Sequence, residues 1–290
     1  MENIPILHLD QFLLSGGNGV YINDLKTHLL DHHNKISHPH KHNFYLNVLF
    51  THGEGIHEID FNEFEVKPGS FFVMAPGQVH HWELSDDVKG FVFLHSKEFF
   101  MLRDSQFELD EFPFFYSKQN TPEIVLDGEA FSSVHDLCHN LLQEYKASHE
   151  YKALKIHSLI TLVYIALTRA YSPTNHKVKR NSHYDSTIRT LEHLVEISYK
   201  DEKGPSYYAD QLNITLKHLN RICNHVLGTS VSQVITARVL LEAKRLLMFR
   251  DLSIAEVANQ LGYSDYSYFS RLFKKHTTQT PQQFRKGYIQ

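Results

Sequence analysis

The chain has 290 residues, 42% of them hydrophobic, which is enough apolar material for two buried cores and too much for a disordered chain. Its net charge of −4 is unevenly spread: residues 1–179 carry 14 Lys and Arg against 23 Asp and Glu, residues 180–290 carry 15 against 10, so the halves hold −9 and +5. Two cysteines, Cys138 and Cys223, fall in apolar helical stretches of different halves, which argues against a disulfide scaffold and for a reducing cytoplasm. The start, Met-Glu-Asn-Ile-Pro, lacks the basic region and apolar run of a signal peptide, so none is expected.

Between Phe44 and Phe99 the texture is Phe, Val and Tyr with Gly and Pro punctuation. Short strands are predicted at 44–50, 55–61, 63–66, 70–75 and 90–95, with Asn62 turning a hairpin. Many short strands without intervening helices indicate a barrel or a sandwich. His38-Pro39-His40-Lys41-His42 and the later His80 gather imidazoles, which ligate metals readily. In metal cupins, which this stretch resembles, a glutamate follows the His-x-His pair; Leu46 and Asn47 fill that region here, so no metal and no other cofactor is expected. Aromatic and polar side chains together line small-molecule cavities, which makes His40, His42, Tyr45, His80 and Trp82 the candidate effector-binding residues; core packing is the competing role for Tyr45 and Trp82.

After Pro122 two helical runs are predicted, 130–147 and 151–170. Phe131, Val134, Leu137, Cys138, Leu141, Leu142 and Tyr145 form a stripe on the first, and Ile156, Leu159, Ile160, Val163, Tyr164 and Leu167 one on the second. This is more apolar surface than a small barrel needs, so a dimer interface and packing against the barrel are both open. The most apolar part, 156–170, is interrupted by His157, Ser158, Thr161 and Thr168 and reads as too short and too polar to span a bilayer. Residues 172–182 are polar, contain Pro173 and lack periodicity, as a linker does.

The last third holds one pattern twice. Ala209-Asp210-Gln211-Leu212-Asn213-Ile214-Thr215 leads to Leu219-Asn220-Arg221-Ile222, and Ala258-Asn259-Gln260-Leu261-Gly262-Tyr263-Ser264-Asp265 leads to Phe269-Ser270-Arg271-Leu272. Asn213 and Gly262 are residues that tolerate a left-handed turn, and Thr215 and Asp265 sit where a helix N-cap belongs. This is a helix-turn-helix layout, whose second helix enters the major groove of DNA. With Leu219 and Phe269 inward, Lys217, Asn220 and Arg221, then Ser267, Ser270 and Arg271, point outward. Arg suits guanine and Asn suits adenine, while Lys274 and Lys275 suit phosphates. Thr215, His218 and Tyr266 complete the candidate DNA-binding set. Between the copies, residues 231–249 lack Gly and Pro and carry one apolar face, a rod able to hold two reading helices in successive grooves.

Residues 184–290 resemble the DNA-binding domain of the AraC/XylS family of transcription regulators. The likeness is carried by Ile254-Ala255-Glu256-Val257-Ala258, Leu261-Gly262-Tyr263, Tyr268 to Lys275, Thr280-Pro281 and Phe284-Arg285. It implies seven helices, with two helix-turn-helix units joined by one helix. Cys223-Asn224-His225 departs from the Phe and Lys common there. Lys67-Pro68-Gly69, Phe71 to Ala75 and Pro76-Gly77-Gln78-Val79-His80 resemble the cupin barrel of AraC-type sensor domains.

The expected fold is therefore α+β and multidomain: a cupin-like β-barrel (1–121), a helical segment for dimerisation (122–171), a linker (172–183) and an all-α double helix-turn-helix domain (184–290). The expected function is a cytoplasmic, homodimeric, sequence-specific regulator and activator. It would bind double-stranded DNA, meet RNA polymerase, respond to a small-molecule effector, use no membrane and have no catalytic residue. The alternative is a metal-dependent cupin enzyme fused to a DNA-binding domain.

Overall fold

The computed structural model describes residues 5–13, 19–36, 38–101, 109–116, 121–171, 182–248 and 252–288. The chain divides into two compact units, Pro5–Thr174 and Asn175–Gln290. The predicted linker falls almost wholly on 172–181, outside the described residues.

The first unit runs β1 (Ile6–Leu7), β2 (Val20–Asp24), α1 (Leu25–Ile36), β3 (His40–His42), β4 (Tyr45–His52), β5 (Gly55–Ile59), β6 (Asn62–Val66), β7 (Ser70–Met74), β8 (Val79–Leu84), β9 (Lys89–His95), α2 (Lys97–Met101), α3 (Pro113–Tyr116), β10 (Glu123–Val125), α4 (Gly128–Lys146) and α5 (Lys152–Ala170). The strands form two five-stranded sheets, ordered β1-β3-β8-β5-β6 and β10-β7-β4-β9-β2. Every pairing is antiparallel except β1 with β3. No strand pairing joins the sheets among the described residues, so the expected barrel is an open, cupin-like two-sheet stack. The chain changes sheets at Gly53, between β4 and β5, where φ is +84° and a Cβ would lie 2.7 Å from the Val88 backbone.

The second sheet is covered on both faces, which explains why the middles of β4, β7 and β9 are rich in consecutive apolar residues. Leu46, Val48, Phe50, Phe72, Met74, Val92 and Leu94 pack toward Ile59 and Val66 of the first sheet. Their alternates Leu49, Phe71, Val73, Phe93 and Ile124 pack against Val134, Leu141, Ile160, Val163 and Tyr164 of α4 and α5. The Lys155 ammonium donates to Glu144 at 2.6 Å and ties the two helices. α5 spans 19 residues, so by length and composition it does meet the requirement for crossing a membrane, contrary to the sequence expectation. Its stripe of Ile156, Leu159, Ile160, Val163, Tyr164 and Leu167 is nevertheless core.

The β5–β6 hairpin turns on Asp60 and Phe61, both left-handed with φ of 47° and 70°, not on Asn62. Asn62 Nδ2 instead donates to the Asp60 carbonyl at 3.2 Å, steadying the turn. Strands β1, β2, β3, β8 and β10 and helix α1 were not predicted. α1 begins where Asp24 accepts the Thr27 N–H at 2.9 Å.

The second unit contains seven helices among the described residues: α6 (Ser182–Ser198), α7 (Pro205–Gln211), α8 (Leu216–Leu227), α9 (Val231–Leu247), α10 (Ile254–Gln260), α11 (Tyr266–Thr277) and α12 (Pro281–Tyr288). α9 starts in a Ser230–Gln233 capping box and packs against both α6–α8 and α10 and α12. Arg238 of α9 is buried and donates to both carboxylate oxygens of Glu196 at 2.7 and 3.0 Å and to Glu242 at 3.0 Å. Burial alone would lower its pKa, but the Glu196 hydrogen bonds and the two carboxylate charges raise it, so it stays charged. Both free thiols are buried: Cys138 in the first unit and Cys223 in the second, each pushed up by desolvation, Cys223 to about 12.

Candidate nucleic-acid interface and sheet-interior histidine cluster

The two repeats fold alike. In the first, the Ile214 N–H returns to the Ala209 carbonyl at 3.1 Å; in the second, the Tyr263 N–H returns to the Ala258 carbonyl at 2.9 Å. Both turns need a left-handed residue, and Asn213 (φ 54°) and Gly262 (φ 77°) supply it. Thr215 Oγ1 accepts the His218 N–H at 3.2 Å and Asp265 accepts the Ser267 N–H at 2.7 Å, so α8 and α11 start at the predicted caps. α10 begins in a capping box of Ser253 and Glu256.

Leu219 and Phe269 are wholly buried and orient the second helix of each unit. Lys217 and Arg221 are exposed on α8, as are Tyr266, Arg271, Lys274 and Lys275 on α11, while His218, Ser267 and Ser270 are half-buried. The Arg221 guanidinium donates to His218 Nδ1 at 3.1 Å, which keeps both at the surface of α8. Asn220 departs from expectation: its Oδ1 accepts the Val231 N–H at 3.1 Å, so the side chain holds the start of α9 and is half-buried. It therefore does not face outward as an adenine reader would. Tyr268 was absent from the predicted set yet is 52% exposed beside Tyr266 at 57%. The signal was an aromatic directly preceding the buried Phe269.

Inside the first unit, β3 and β8 bring His40, His42 and His80 together, with ring centres 4.3 Å (His40–His80) and 5.2 Å (His42–His80) apart. His57 of β5 joins them, its Nε2 lying 2.9 Å from His80 Nδ1, and the Trp82 ring lies 5.1 Å from that of His57, tilted by 51°. Sequence reasoning missed His57, although alternation in Gly55–Ile59 turns His57 and Ile59 to the same face as the core. His40 Nδ1 donates to the His38 carbonyl (2.9 Å) and His42 Nδ1 to the Phe44 carbonyl (2.8 Å), fixing their tautomers. Burial is the main cause that pushes all four pKa values down: His40 to about 4, His42 to about 3, His57 and His80 well below their ordinary value. His42 Nε2, His57 Nδ1 and His80 Nε2 are buried and have no hydrogen-bond partner among the described residues.

Tyr45 is not part of this cluster. It projects from the opposite face of β4, stacked 5.1 Å from His95, whose Nε2 lies 2.6 Å from the Tyr164 hydroxyl under the helices. Among the described residues, no group of three His, Cys, Asp or Glu side chains is disposed to hold a metal ion. An open groove of about 830 Å³ lies elsewhere, at the β5–β6 edge between Gly53, Glu63, Lys67 and Asp87, and none of the five predicted pocket residues lines it.

Residues 25–161 match the family model of the AraC-like ligand binding domain, and residues 208–287 match that of the helix-turn-helix domain. The chain belongs to the AraC family. It is a transcription regulator with an N-terminal ligand-binding domain and a C-terminal helix-turn-helix domain. The arabinose operon regulatory protein of Escherichia coli K12 is 24% identical over 243 residues, 84% of this chain and 80% of that protein. The HTH-type transcriptional activator RhaS of Escherichia coli K12 is 21% identical over 296 residues, 98% of each. Among solved structures, ToxT from Vibrio cholerae O395 covers 94% of this chain and 99% of its own, at 13% identity and a TM-score of 0.44. The C-terminal domain of the response regulator yesN from Fusobacterium nucleatum covers 33% of this chain and 93% of its own, at 28% identity and a TM-score of 0.32.

Proposed function

We propose that this AraC-family protein is an activator that reads two successive major grooves and answers to a small molecule held between its two sheets. The duplicated turns at Asn213 and Gly262, each followed by a helix with a side-chain N-cap, carry the reading, because they give two recognition helices, α8 and α11, attached to one stiff rod. α9 has 17 residues, and at about 1.5 Å per residue such a rod is roughly 25 Å long. That is of the order of one turn of B-DNA, about 34 Å. Lys217, His218 and Arg221 of α8 and Tyr266, Ser267, Ser270 and Arg271 of α11 would face the bases. Lys274 and Lys275 would face phosphates, and Thr215 would hold the end of α8 that enters the groove. The positive balance of residues 180–290 favours a phosphate backbone.

The effector reading rests on the unpaired imidazole nitrogens of His42, His57 and His80 beside His40 and Trp82, since buried polar atoms without partners favour a ligand that supplies them. Tyr45, on the far face, is left out. Helix α5 would form the homodimer contact: Leu154 and Leu162 are exposed large apolar residues on its outer side. Residues 1–121 would then sense, 122–171 dimerise and 184–290 bind DNA, with RNA polymerase as the downstream partner and the cytoplasm as the compartment. This reading gives the chain no catalytic step.

Selection of bound duplexes from a random pool, followed by footprinting, tests it. Protection of two adjacent major grooves on one side of the duplex is expected. Protection of one groove only, or no sequence preference, would overturn it.

A further inference from the structure

We propose that the loop between α6 and α7 is a latch that fixes the second helix-turn-helix unit to the first, with Lys203 and Gly262 as positioning residues. The inference rests on the two-groove reading above. Gly262 does more than supply a left-handed turn: a Cβ there would collide with the Lys200 carbonyl oxygen and stand 2.9 Å from Lys203 Nζ. The turn of the second unit is thus seated against the loop of the first. Lys203 Nζ donates to that same Lys200 carbonyl at 2.6 Å and lies 4.6 Å from the centre of the Tyr263 ring. A cation over an aromatic face is attracted by the ring quadrupole. Tyr263 in turn packs on Tyr268 and Phe269 of α11, with ring centres 5.9 and 5.7 Å away.

The loop is itself held at both ends. The Tyr208 hydroxyl of α7 donates to the Glu202 carbonyl at 2.7 Å. The Arg238 guanidinium of α9, already paired with Glu196, covers the ring of Tyr199 at 4.0 Å. The chain of contacts therefore runs α9, α6, loop, turn, α11 and back through α10 to α9. A single rod leaves its two ends free to swivel; a second attachment away from its axis removes that freedom. The latch sets the angle at which α11 meets DNA once α8 is seated.

Lys203→Met in the full chain tests this, because it keeps the aliphatic stem and removes only the ammonium. The probes are a duplex selected by the wild-type chain, the same duplex with one half-site scrambled, and versions with one base pair inserted or deleted between half-sites. Affinity for the intact duplex should fall about three- to tenfold, stay unchanged on the single half-site, and become less sensitive to spacing. The salt dependence should keep its slope, whereas loss of a direct phosphate contact would lower it by about one. Unchanged affinity and spacing preference, or a slope lower by one, would overturn the latch. Gly262→Ala should give the same signature more strongly, with thermal unfolding as the check on folding. A readout without DNA separates this proposal from the function it rests on. Spin labels at Asn224→Cys and His276→Cys should give a narrow distance distribution in the otherwise wild-type chain and a broader one with Lys203→Met. An unbroadened distribution would sink the latch even if DNA reading stands.

Discussion

At the scale of single residues, the interface is set by which side chains are already engaged. Among the described residues Arg221 meets a surface partner, His218, and is exposed, so it can exchange that bond for a base edge. Arg221→Ala should weaken binding to a selected duplex by about 1–3 kcal/mol and relax preference at one base position. An equal loss on every sequence would leave only a phosphate role. Asn220, one residue earlier, has the opposite character. Its Oδ1 holds the first N–H of α9, and removing such a partner costs about 1 kcal/mol. Asn220→Ala should therefore lower the denaturation midpoint without changing base preference in the selection experiment. A changed preference with unaltered stability would restore it to the reading face. The sequence pattern alone could not separate these neighbours, because they lie one and two residues after the same buried anchor, Leu219. The difference arises from where α9 begins in space.

At the scale of elements, what was legible depended on whether one partner or two decided a segment. The caps and turns of α8 and α11 are local, so Thr215, Asp265, Asn213 and Gly262 were readable from neighbours within three residues. The stripes of α4 and α5 were readable because each faces one covering surface. β8 escaped because Val79, His80, Trp82 and Leu84 mix imidazole and indole with the apolar positions, and only the opposing sheet makes His80 a core residue. The misplacement of Tyr45 has the same origin: β4 is covered on both faces, so nothing in its sequence tells which face looks inward.

The interior histidines give this sheet stack a definite acid response. Each has a folded pKa below its unfolded value, chiefly from burial, so the unfolded chain takes up protons first as pH falls. Stability should be full above about pH 6.5 and decline below it, toward about 4 for His40 and about 3 for His42. His40 alone would account for a loss of the order of 3 kcal/mol by the low end of its window. Denaturant midpoints of the first unit at pH 7.5 and pH 5 would show this, since most carboxylates are still ionised in that interval. A flat profile there would mean that the histidines are already protonated or exposed.

At the scale of the whole molecule, the proposal that α5 joins two copies can be examined apart from DNA. Leu154, Ser158 and Leu162 follow one another at helical spacing on its exposed side. Leu162→Glu should shift the sedimentation coefficient from dimer to monomer while leaving the helical signal intact. A wild-type chain that already sediments as a monomer would move the burden of pairing away from this helix. Family membership extends across both units, and it was readable from Leu261-Gly262-Tyr263 and Phe269-Ser270-Arg271-Leu272 because those residues build the turn and the anchor themselves.

Each half of the molecule also carries one sulfhydryl sealed in its own interior, Cys138 under the sheets and Cys223 inside the helices. A thiol-specific dye added to the native chain consequently meets no ready target, and each sulfur becomes labelled only when the half around it opens. Mass spectrometry of the tagged peptides would then time the loosening of sensor and reader separately, in one tube, with no engineered label.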